Sequence, residues 1–200
     1  METEQRIKVA QKVTWVGFFI NLILSVLKII AGITSHSAAM IADGVHSFSV
    51  FITDAFVLIF IRISGKERDH DHHYGHGKYE TFATLLISIA LMLVGVGIFW
   101  NGVSMVMEVL KGHELQQPGI MALIAALVSI LVKEGLYWYT AVSGKKIDSQ
   151  AVVANAWHHR SDAFSSMGTA LGIGGAIFLG AQWRILDPIA GMIVSVFILK

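Results

Sequence analysis

Two imidazoles and a carboxylate sit in the most apolar company that this chain offers. In "NAWHHRSDAFSS" His158 and Asp162 stand at i and i+4, one above the other on a single helix face. In "IADGVHSFSVFITDAF", residues 41–56, Asp43, His46 and Asp54 lie among Ile, Val and Phe. Zn²⁺ takes four tetrahedral ligands drawn from His, Asp, Glu and Cys, and i, i+4 pairs on two neighbouring helices supply them. On that pattern the partner of His46 is residue 50, which is Val50. Asp54 does not replace it, being about 12 Å along the axis and about 80° around it from His46. Asp43 is nearer, one short turn outward, but rotated by about 60°.

The surroundings make these groups expensive. The 200 residues are 54% hydrophobic and 14% charged, with a mean hydropathy of +0.65, which is the composition of a membrane protein. A net charge of +1 excludes a nucleic-acid partner, which demands a basic stripe. With no cysteine there is neither a disulfide nor a thiolate metal site. A helix needs about 20 apolar residues to span a bilayer. Segments of that length fall at 13–33, 38–61, 81–107, 120–142 and 150–179, and a sixth opens at Asp187-Pro188 and runs through 187–200. The fold class is therefore an all-α membrane protein, a bundle of six transmembrane helices forming a single domain over 1–200. The sixth helix rises only about 20 Å and reads as truncated at its C-terminus.

The N-terminal "METEQRIKVAQK" lacks a cleavage site of small residues, so the first helix is expected to stay. Arg6, Lys8, Lys12, Arg62, Lys66, Arg68, Lys78, Lys145 and Lys146 share one side, against Lys111 and Arg184 on the other. By the positive-inside rule the first side is cytosolic, and so is the N-terminus. His46 then lies about 12 Å below the outer surface, and His158 and Asp162 about 12 and 18 Å from the inner one. All three fall in one slab near the midplane, where an ionisable group costs roughly 3 kcal/mol or more and marks an ion or proton path.

Together, and in order, "ADGVHS", "DHDHHYGHGKYET", "KEGLYWYT", "ANAWHHRSDAFSS" and "DPIAG" give the chain a family likeness. It resembles the transmembrane domain of the cation diffusion facilitators over nearly its whole length. The resemblance implies export of divalent metal from the cytosol in exchange for protons, by alternating access and without enzymatic chemistry. It implies a transport site at His46, residue 50, His158 and Asp162, with Val50 where the family's HSxSD pattern places an Asp. It further implies a metal-binding loop site at Asp69, His72 and His76, to which His70, Asp71 and His73 add donors. Members of the family form homodimers through a cytosolic C-terminal domain, which is absent from this chain. Zinc is the first choice of cargo, with Cd²⁺, Fe²⁺, Mn²⁺ and Co²⁺ as alternatives, and a bacterial inner membrane is the simplest location.

Competing readings are a metal-binding subunit that does not transport, for which Val50 argues directly, a bis-His haem protein and an intramembrane zinc enzyme. The chain has no HExxH to favour the last. Lys28, near the outer end of helix 1, is expected to snorkel. Lys133 and Glu134 are deep enough in helix 4 to need intramembrane partners. His159 points about 100° away from His158 and reads as a packing group. His36 and His113 are loop residues without a role. Gly168 and Gly172 form a small-xxx-small pair for close helix packing, and Trp15, Trp100, Trp157 and Trp183 read as interfacial anchors.

Overall fold

The computed structural model describes residues 3–64 and 77–199. They form α1 (Thr3–Thr34), α2 (Ala38–Ser64), α3 (Gly77–Leu110), α4 (Ile120–Lys146), α5 (Gln150–Phe178) and α6 (Leu186–Leu199), with a 3₁₀ turn at Ala181–Trp183 before α6. No strand occurs among the described residues. The protein is an all-α integral membrane protein. Its helices follow the apolar segments closely at one end and overrun them at the other, because helix-forming polar residues continue α1, α3 and α4 beyond the apolar stretch. The loop carrying Asp69, His72, His73 and His76 lies outside the described residues.

The bundle is inverted relative to a water-soluble core. Ala39, Ala122, Ala126, Ala156, Ala163 and Ala190 are buried, whereas Leu131, Leu171 and Trp100 point outward. Between helices in lipid there is no hydrophobic drive, so small residues that let backbones approach occupy the contacts, and large apolar ones face the acyl chains. Four helices among the described residues are long and apolar enough to cross a membrane, namely Lys8–Thr34, Ser88–Leu110, Ile120–Lys146 and Ala181–Leu199. The helix α5 is not among them, because His158, His159, Arg160 and Asp162 lower its hydropathy; it is wrapped instead by α4, α6 and α2. The other main pairings are α1 with α2 and α3 with α6.

Both ends of the bundle are tied by polar contacts. At one end Arg6 donates to the carbonyls of Ile147 and Asp148 at 2.7 and 3.0 Å, so the start of α1 closes the α4–α5 turn. At the other, Arg184 donates to the Leu115 carbonyl at 2.8 Å. There Asp187, in the first turn of α6, also accepts from Ser37 Oγ at 2.6 Å and from the Ala38 amide at 2.7 Å. A carboxylate thus sits at the N-terminus of α2, where the helix leaves unpaired N–H groups and a partial positive charge.

Lys28 does not snorkel. It is 1% exposed, and its ammonium lies 2.8 Å from Asp43 Oδ2 while donating to Ser47 Oγ at 3.1 Å and Ser166 Oγ at 2.9 Å. The reason is the close approach of α1 to α2. A Cβ on Gly44 would lie 3.1 Å from Lys28 Cβ, so the side chain leaves its helix inside the α1–α2–α5 contact with no path to the surface. Gly172 serves the expected close packing, since a Cβ there would collide with Ala190 of α6, but Gly168 does not, since its Cβ direction is open space.

Candidate functional site

The open space beside Gly168 is a cleft of about 410 Å³ between α2, α5 and α6. His46 contributes from α2, and Ser161, Asp162, Ser165 and Gly168 from α5, while Ala190, Ile193, Val194 and Phe197 form the α6 wall. Helical periodicity explains the α5 set, since residues 161, 165 and 168 and residue 162 recur on one stripe. His46 turns toward α6, its ring 6.4 Å from that of Phe197. Its Nδ1 and the Ser165 hydroxyl are buried without a hydrogen-bond partner among the described residues. Buried polar atoms ordinarily find partners, and here two without one lie beside a carboxylate in a single cleft.

His158 Nε2 stands 4.0 Å from Asp162 Oδ1, as the i, i+4 spacing requires, and its side chain is 43% exposed. The structure therefore brings His46 to the same cleft as Asp162, and His158 to Asp162. It does not close the three into one ligand cluster: no group of three or more His, Asp or Glu side chains among the described residues is gathered tightly enough to hold a metal. Val50 is half-buried on α2, one turn from His46 on the same face. Asp43 is turned away from the cleft, held by Lys28 and by the Ser166 hydroxyl, which donates to it at 3.0 Å. Asp54 has a position on α2 but a side chain outside the described set.

Asp162 is already engaged. Lys133 Nζ of α4 lies 2.6 Å from its Oδ2, with the side chains 2% and 8% exposed. The sequence shows Lys133 to be deep but does not name its partner. Depth arithmetic could have done so, since Lys133 is 13 residues into α4 and Asp162 is 12 residues into the antiparallel α5, roughly 20 and 18 Å from opposite ends of helices about 40 Å long. Ser165 carries a weaker signal, lying three residues beyond Asp162 on the helix face that lines the cleft.

The remaining polar groups are structural neighbours. Glu134 pairs with Arg160 at 3.5 Å and accepts from Trp138 Nε1 at 3.1 Å, and the Arg160 guanidinium lies 4.5 Å from the Tyr137 ring centre. His159 is 2% exposed and packs on α1, where a Cβ on Gly17 would come within 3.2 Å of its Nε2.

Comparison with known proteins adds a consistent picture. A family profile described as "Cation efflux transmembrane domain" matches residues 14–200. Metal tolerance protein C1 of Arabidopsis thaliana is 39% identical over 95% of this chain and 42% of its own length. Metal tolerance protein 2 of Oryza sativa subsp. japonica is 37% identical over 96% and 54%. Manganese efflux system protein MneP of Bacillus subtilis is 36% identical over 98% and 66%. The chain thus spans between 42% and 66% of the length of these relatives.

Proposed function

Because the chain belongs to the cation efflux transmembrane-domain family, we propose that it carries a divalent metal cation out across a membrane, with His46, His158 and Asp162 as its transport-site ligands. The observation that carries this reading is the shared cleft: His46 from α2 and Asp162 from α5 line one cavity between three helices, with His158 beside Asp162. A modest approach of α5 to α2 gathers the three around one ion, the kind of helix rocking by which such carriers alternate their access. Val50 leaves the fourth position to water or to a hydroxyl such as that of Ser165, an open geometry.

Metal binds only deprotonated imidazole and carboxylate, so protons compete for the ligand groups, carried on the return by the His46 and His158 imidazoles, and that competition couples the two fluxes. Two imidazoles favour zinc. The name of the Bacillus subtilis relative, manganese efflux system protein MneP, favours manganese as a second reading, and a hydroxyl-completed site suits that harder ion. Asp69, His72 and His76, with His73 beside them, concentrate cations at the cytosolic entrance. The loop charges set the N-terminus in the cytosol, and in a bacterium the membrane is the inner one. A homodimer is the assembly we expect.

The test is flux of Zn²⁺ and of Mn²⁺, each driven by a proton gradient in proteoliposomes, for the chain and for Val50→Asp. Transport by both, faster in Val50→Asp, supports the site. Transport by Val50→Asp alone supports the site while identifying this chain as a metal-binding subunit that does not transport. Full transport by Asp162→Asn sinks the assignment.

A further inference from the structure

We propose that Lys133 is a tethered competitor for the cargo: its ammonium holds Asp162 while the transport site is empty and gives way when a divalent cation binds. This rests on the reading of Asp162 as a transport-site ligand. The pair is close, 2.6 Å, and buried on both sides, yet Asp162 is the only hydrogen-bond partner of Lys133 among the described residues. Lys28 differs, held at once by Asp43, Ser47 and Ser166. An ammonium with one anchor is the one that can leave it.

The need for such a group follows from the transport cycle. A carrier that has released its cargo must return with the site empty of metal, and a carboxylate buried in a membrane without a counter-charge is strongly disfavoured. The Lys133 ammonium supplies that charge from inside the bundle, so the empty form keeps Asp162 ionised and neutralised. When metal arrives, the two cations cannot share the carboxyl group comfortably, because they would lie within about 6 Å of each other in a medium of low dielectric constant. A monovalent ion brings no more charge than the ammonium it would displace, whereas a divalent ion brings twice as much. The arrangement therefore selects for divalent cargo and keeps its affinity moderate enough for release.

The experiment measures Zn²⁺ and Mn²⁺ affinity of the purified protein by equilibrium dialysis, with metal-for-metal exchange and net efflux in proteoliposomes beside it. Lys133→Gln is expected to bind at least tenfold more tightly and to keep metal-for-metal exchange, which needs no empty return, while net efflux falls at least tenfold. Lys133→Arg, whose guanidinium grips both carboxylate oxygens, is expected to bind at least tenfold more weakly. Unchanged or weaker binding by Lys133→Gln overturns the competitor role. If that variant does not fold, Lys133→Arg carries the test, and unchanged affinity there overturns it equally. Asp162→Asn separates the two levels: if it binds metal normally the site reading has failed, and if it does not while Lys133→Gln is no tighter, only the role of Lys133 has failed.

Discussion

Among its described residues the bundle holds two buried lysine–aspartate pairs of nearly equal length, and they are built for different ends. Lys28–Asp43 is 2.8 Å long, 1% exposed on both sides and enclosed by the Ser47 and Ser166 hydroxyls, so that it ties α1, α2 and α5 together outside the lining of the His46–Asp162 cleft. Lys133–Asp162 is 2.6 Å long and has no such hydroxyl cage among the described residues, and its carboxylate forms part of a cleft wall. A buried ion pair is by itself weak evidence of stabilisation, since burying the two charges offsets much of their attraction. What separates the pairs is how many groups hold them in place and whether a cleft reaches the carboxylate. The first has one arrangement, and the second has a carboxylate that a guest can reach.

Removing each lysine, and then each pair, separates the two roles. Lys28→Met leaves Asp43 buried without a counter-charge and is expected to cost about 3–5 kcal/mol, seen as a large fall in Tm in detergent. The double variant Lys28→Met/Asp43→Leu should recover most of that stability and retain metal binding, because a buried pair replaced by apolar groups is close to neutral. The corresponding Lys133→Met/Asp162→Leu protein should be folded but bind zinc more than a hundredfold more weakly. If the two double variants behave alike, the distinction is wrong.

Smaller effects refine the boundary of the site. Val50→Asp adds a carboxylate one turn from His46 and should tighten zinc binding about tenfold, read by dialysis, without a comparable gain in Asp43→Glu. Asp187→Asn weakens the carboxylate cap on α2 and should lower stability by about 1 kcal/mol, leaving metal affinity unchanged. Gly168→Leu fills open space in the cleft wall and should slow flux several-fold while Tm barely moves.

Much of the molecule was legible before any coordinates. The six helices follow from apolar segment length, since a bilayer leaves the backbone no other way to satisfy its hydrogen bonds. The i, i+4 relation of His158 to Asp162 is a property of the helix alone. Lys28 is a different case. Depth says how far a residue lies from the surface, and only the helix neighbour decides whether a long side chain has a way out. Gly44 against Lys28 removed that way, and a one-dimensional pattern contains no record of it.

The sequence by itself determined the element order, the membrane class and the ligand types on offer, because those depend on hydropathy, on a fixed rise per residue and on side-chain chemistry. Only the tertiary structure decided which lysine meets which aspartate, that His46 and Asp162 share a cleft with α6 while Asp43 is turned away, and that Gly168 faces open space rather than a packed helix. Those outcomes depend on how each helix is rotated about its own axis against its neighbours. Small-residue contacts fix that rotation at long range, and no local spacing encodes it.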